Sequence, residues 1–195
     1  MNVYGRVYSI SVLISNFFLL NLLWIICCLP IITIFPATSA MYGVVRQWIL
    51  HKDSSVLKPF IHHFKMNFKH SFIIGVIWFF LAAILFLDYF LIKNRNLLIL
   101  NMAIYLISFL FLLITTFLLP LLVHYQQGIR NLLKQLVIFP LLFLPTSFII
   151  IIMSMIMILA IYLFPLLSIV IFSCFAFCHF FLCLRIFNKI NYQMN

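Results

Sequence analysis

Apolar residues in this chain come in long, nearly unbroken runs, and the polar residues collect between them. The first run, at about 7–29, is long enough to cross a bilayer, because a hydrocarbon core of about 30 Å takes about 20 apolar residues in helical form. Runs at 71–92 and 97–122, joined by Lys93-Asn94-Arg95-Asn96, predict an antiparallel pair of spans. From Leu136 to Leu184 there is no Lys, Arg, Asp or Glu, more than one span needs. Two spans are therefore placed there, at 141–163 and 165–185, with the turn at Pro165 and a bend near Pro140 and Pro145. The expected fold is all-α: a single membrane domain over residues 1–195, a polytopic bundle of five transmembrane helices plus one amphipathic helix on the cytoplasmic side.

The segment between the first two spans has a different pattern. Pro30 ends or bends the first helix, and Thr33 and Pro36 suit a restart. In the helix expected at 36–50, Ala37, Ala40, Met41, Val44 and Trp48 recur at three- and four-residue spacing, while Arg46, Gln47, His51 and Lys52 gather at its end. Too short and polar to span, it lies either on the membrane surface or tucked against the bundle, where Ala40 and Gly43 permit close approach. After the turn signal Asp53-Ser54-Ser55, Leu57, Phe60, Ile61, Phe64, Phe68 and Phe72 form an aromatic stripe flanked by Lys58, His62, His63, Lys65, Lys69 and His70. This is a basic amphipathic ramp into the second span. Arg46, Trp48, Lys58, Phe60, Phe64, Lys65, Phe68 and Lys69 are the candidate lipid- or partner-facing residues. Residues after Tyr125, with Leu132, Leu133, Leu136 and Val137 on one side, weakly repeat the design.

Composition agrees with the pattern: 67% of residues are hydrophobic and 7% charged, which excludes an ordinary soluble domain. Lys and Arg number 12 against two acids, Asp53 and Asp88. Because the cations lie between apolar spans, they point to orientation and anionic lipid of the cytoplasmic leaflet, and not to nucleic acid. With the first connection inside, nine cations fall on the cytoplasmic side and Arg6, Lys93 and Arg95 outside. A multi-pass protein of the bacterial cell membrane is expected, N-terminus outside and C-terminus cytoplasmic. The first run exceeds the apolar region of a signal peptide and is expected to be retained.

Little else suggests chemistry. Cys174, Cys178, His179 and Cys183 are metal-capable, but they sit in an apolar span without acidic or hydrated surroundings, so no metal is expected. No phosphate loop, paired carboxylates or Ser-His-Asp arrangement is present, so neither catalytic residues nor a cofactor are expected, and the chain is read as not an enzyme. Asn16 and Asn21 read as hydrogen-bonding groups between helices, or as part of a substrate path. Asp88 reads as half of an interfacial ion pair with Lys93 or Arg95, or, deeper in the membrane, as a functional acid.

The run Asn21-Leu22-Leu23-Trp24, then Pro30, then PATSAMYGVVRQW at 36–48 and FIHHFKMNFKHS at 60–71, resembles the YesL family of bacterial integral membrane proteins, defined around a domain of unknown function. Glycine is common in that family near the position of Phe35. The resemblance implies a membrane protein associated with carbohydrate uptake and sensor-kinase systems, and it implies no catalytic or binding residues. An accessory or regulatory component docking on a sugar permease or a sensor kinase is the expectation; a small membrane transporter or channel subunit is the alternative.

Overall fold

A computed structural model describes the backbone of residues 3–92, 98–125 and 129–194 and the side chains of 11–91, 99–125 and 131–189. Arg6, the connection 93–97 and Arg130 lie outside the described side chains, so the ion pair expected for Asp88 with Lys93 or Arg95 falls there too. Seven α-helices follow in order: α1 (Val3–Cys28), α2 (Ile34–His51), α3 (Leu57–Ile92), α4 (Leu98–Tyr125), α5 (Ile129–Leu142), α6 (Leu144–Leu163) and α7 (Ser168–Met194), with 3-10 turns at Ile31–Thr33 and Pro165–Leu167. No strand occurs among the described residues. Five helices, α1, α3, α4, α6 and α7, are long and apolar enough to cross a membrane. Large side chains such as Phe79, Ile99 and Tyr162 stand on the outer surface, as lipid-facing residues do.

The breaks have local causes. Pro30 adopts an extended conformation, and the Thr33 hydroxyl donates towards the Cys27 carbonyl at 2.5 Å, closing the turn between α1 and α2. Helix α2 stops at Lys52, which takes a left-handed conformation with φ 55°. Asp53 then accepts from the Ser55 amide at 3.0 Å and from Gln47 at 2.7 Å, an Asx turn that sets up α3. Helices α5 and α6 are parted by one residue, Phe143, between Pro140 and Pro145. Because Ser147 donates to both the Phe143 carbonyl and the Pro140 carbonyl, the chain bends there without ending its hydrogen bonding.

Helix α2 takes the second of the two placements expected for it. From Pro36 to Val45 every residue but Thr38 is buried, so this is an inserted helix and not one lying on the surface. Small side chains and Gly43 let its neighbours close around it. Trp24 meets Thr38 at 3.1 Å and Phe17 meets Trp48 with ring centroids 5.2 Å apart, which fixes α1 and α2 as antiparallel. Phe35 covers Gly75 and His63 covers Gly43, so α3 runs antiparallel to α2 and in the same direction as α1. At about 1.5 Å per residue, the 36 residues of α3 extend about 54 Å, far beyond a hydrocarbon core. Its first half lies along α2, and its second half pairs with α4 through Trp78 and Thr115 at 2.9 Å.

Candidate functional site

The α2–α3 hairpin carries most of the residues of interest, and helical periodicity sorts them onto two faces. Turned outward on the first half of α3 are Lys58, Ile61, His62, Lys65, Met66, Phe68, Lys69 and His70, all exposed. This is the basic, partly apolar face expected from the ramp. Phe64 is half-buried between the Phe60 and Phe68 rings, at 6.3 and 5.4 Å. Phe60 corrects the expectation of an outward-facing residue: it is 1% exposed, packed in the cluster of Val44, Val45, Val56 and Phe180. The stripe winds around the helix, so its first ring turns into the bundle while its later ones reach the surface.

The inward face is polar, which was not expected. Ser39, Gly43 and Arg46 on α2 meet His63, Asn67 and Ser71 on α3, each set at spacings that keep one helix face. Their Ser39 Oγ, Arg46 Nε, His63 Nδ1, Asn67 Nδ2 and Ser71 Oγ atoms are buried and have no hydrogen-bond partner among the described residues. At the foot of the seam, α4 adds His124, whose Nδ1 is likewise buried and unpartnered and whose ring packs on Phe187 at 4.8 Å. Arg46 is half-buried, so its guanidinium is only partly hydrated. Neither acid relieves it: Asp53 is fully exposed at the turn, and its carboxyl is held below the ordinary range chiefly by the Ser55 backbone and side chain, then by Gln47.

One helical turn from Arg46, the Tyr42 hydroxyl and His179 Nδ1 are 2.5 Å apart, both residues buried. Pro120 lacks an amide hydrogen, so the Thr116 carbonyl in α4 loses its helical donor. The His179 ring lies against this carbonyl, although Nε2 lacks a well-aligned partner. His179 thus ties α2 to the proline irregularity of α4. Cys183 is buried one turn on, while Cys178 points outward. Among the described residues no three His, Cys, Asp or Glu side chains are grouped as a metal would require.

The remaining candidates sit at helix contacts. Asn16 donates to the Ser54 carbonyl at 2.9 Å, and Asn21, fully buried, donates to the Ser168 carbonyl at 2.6 Å. Trp48 is half-buried against Phe17 and donates to the Ser55 carbonyl at 3.0 Å. Asn16, Phe17 and Trp48 wall a cavity of about 430 Å³ at the α2–α3 turn, beside Lys52 and Asp53. Asp88 is half-buried in the upper part of α3, away from this end. The sequence places His63 among the basic residues of the ramp and does not single out His124 or Tyr42; the available signal was the placement of His63, Asn67 and Ser71 at four-residue intervals, beside the aromatic stripe.

Residues 17–89 match the model of a family described as a protein of unknown function, DUF624, which covers the end of α1, all of α2 and nearly all of α3. The chain is similar to the uncharacterized protein YteU of Bacillus subtilis (strain 168), 34% identical over 128 residues, or 63% of this chain and 58% of YteU. It is also similar to the uncharacterized protein YesL of the same organism, 31% identical over 119 residues, or 59% of this chain and 57% of YesL. The matches thus span somewhat more than half the length of these curated relatives. No solved structure matches. The resemblance read from residues 21–71 is borne out.

Proposed function

We propose that this YesL-like chain, of a family without an assigned function, is a cell-membrane protein that serves as an accessory or regulatory component, docking through the first half of α3. The observation that carries this reading is the exposed face of Lys58, Ile61, Lys65, Phe68 and Lys69, continuous with an apolar span and backed by a buried helix that holds it rigid. Such a face suits anionic headgroups, where each Lys or Arg contributes about 1 kcal/mol, and the juxtamembrane surface of a partner. Its family resemblance favours a sugar permease or a sensor kinase as that partner. The buried polar seam favours a second reading, a small transporter or channel subunit, because polar groups inside a bundle mark pathways in such proteins.

The direction of α2 also bears on orientation. With α1 and α3 pointing the same way, the helix end that carries Arg6 in sequence joins the end with the α2–α3 turn, the α4–α5 connection and the end of α7. Ten of the 12 Lys and Arg then gather on one side, against Lys93 and Arg95 on the other. Such a bias supports a cytoplasmic N-terminus in place of the outside position expected when α2 does not cross. A photocrosslinker at Ile61 or Phe68 tests the docking reading in native membranes. Capture of one permease or kinase at these positions, and not from Phe79 in the lipid-facing span, is the expected result. Equal labelling from all three positions removes the reading.

A further inference from the structure

Arg46 poses a problem that the described residues leave open. A guanidinium keeps its proton at any physiological pH, yet this one is half-buried and its Nε–H has no acceptor. A half-buried cation with a buried N–H that has no acceptor is unfavourable unless something satisfies it. The chain contains only two acids, and neither provides an ion pair: Asp53 is engaged with Gln47 and Ser55, and Asp88 lies in the upper half of α3. Far from offering a negative charge, the surroundings add nitrogen. His63 is held against Gly43, one turn from Arg46, and His124 comes from α4 next to Val123, which belongs to the same buried cluster as Val44 and Val45. Helix α4 packs on α2 and ends at the same end of the bundle, which brings His124 to the end of the seam that holds Arg46 and His63. Asn67, a turn beyond His63, points a buried and unpartnered amide nitrogen into the same seam, and the fully buried hydroxyls of Ser39 and Ser71 are unpartnered above it.

We propose that Arg46, His63 and His124, with Asn67 beside them, form a binding site for a phosphate-type oxyanion, supplied as free phosphate or as the headgroup of an anionic phospholipid. The chemistry is selective for that class. A planar guanidinium fork, two imidazoles and an amide, supplied by three helices, can each donate to a tetrahedral anion, and the permanent charge of Arg46 rejects a metal ion. The seam is also reachable. Arg46 is five residues from the end of α2, His63 six from the start of α3 and His124 one from the end of α4, which places Arg46 and His63 about 8–9 Å, and His124 about 2 Å, in from the basic ends of their helices. This site is distinct from the exposed face of α3 on which the docking proposal rests, so either can fail alone.

The test is thermal unfolding of the delipidated protein in uncharged detergent against inorganic phosphate, with chloride holding the ionic strength constant. Phosphate is expected to raise the melting temperature saturably, and Arg46→Gln and His124→Gln to abolish the rise. In parallel, the protein reconstituted with phosphatidylglycerol is examined by native mass spectrometry for a retained lipid that Arg46→Gln loses. A phosphate response without lipid retention assigns the free anion; retention without a phosphate response assigns the headgroup. Absence of both in the unsubstituted protein overturns the proposal, as does a response that survives Arg46→Gln. Should Arg46→Gln fail to fold, the unsubstituted protein and His124→Gln decide in the same way.

Discussion

The contact between Phe35 and Gly75 offers the sharpest test of how α2 is held in the bundle. A Cβ added at Gly75 would lie 2.6 Å from Phe35 Cγ, 2.7 Å from its Cβ and 2.8 Å from Cδ2. Turning the ring cannot relieve the second of these, since Cβ is fixed to the backbone of α2. The helices must part by about 0.7 Å to bring that contact back to 3.4 Å. Overpacking of this kind costs about 1–3 kcal/mol, whereas replacing a helical glycine by alanine gains up to about 1 kcal/mol in backbone propensity. Gly75→Ala is therefore expected to destabilise the protein by about 1–2 kcal/mol, roughly tenfold in the unfolding equilibrium. The sign should reverse in a Phe35→Gly background. There the obstruction is gone, and alanine at 75 should stabilise by up to about 1 kcal/mol. Equilibrium unfolding of the purified protein by titration with a denaturing detergent, followed by tryptophan fluorescence, measures all four members of this cycle. If Gly75→Ala stabilises equally in both backgrounds, α2 is not packed on α3 as described.

Other predictions rest on separate contacts. Tyr42→Phe leaves the buried His179 Nδ1 without a partner and should cost about 1–3 kcal/mol in the same unfolding assay, with insertion unchanged. The Asp53 carboxyl has a depressed proton affinity in the folded state, so its contribution is present above the ordinary carboxyl range and is lost as pH falls through the folded value; Asp53→Asn should flatten this acid limb of the stability profile. Replacing Lys58, Lys65 and Lys69 together by glutamine should weaken binding of the detergent-solubilised protein to phosphatidylglycerol nanodiscs, by about 1 kcal/mol per residue, and leave its melting temperature nearly unchanged because all three are exposed. A reporter fused to the N-terminus should be active in the cytoplasm, whereas activity outside would show that α2 does not cross.

Length and hydropathy alone determined that the chain is helical, with five helices long and apolar enough to cross a membrane, and that its cations gather at few connections, because transfer of a backbone into hydrocarbon requires long apolar helices whatever their packing. Local chemistry determined the breaks as well: Pro30, the turn at Asp53 and the pair Pro140 and Pro145 act through their own backbone geometry. Which face of each helix turned inward was decided only by the tertiary structure. In lipid, apolar side chains favour neither the core nor the outside, so periodicity loses the meaning it has in water. Helix α2 went to the centre because Gly43 and Gly75 opened two close contacts between it and α3, and that insertion made α1 and α3 run the same way. Arg46, His63 and His124 are separated by up to 78 positions in the chain and came to the same end of the bundle only when three helices closed on one another. No spacing in a linear sequence encodes that meeting, because the separation is set by crossing helices and not by the pitch of any one of them.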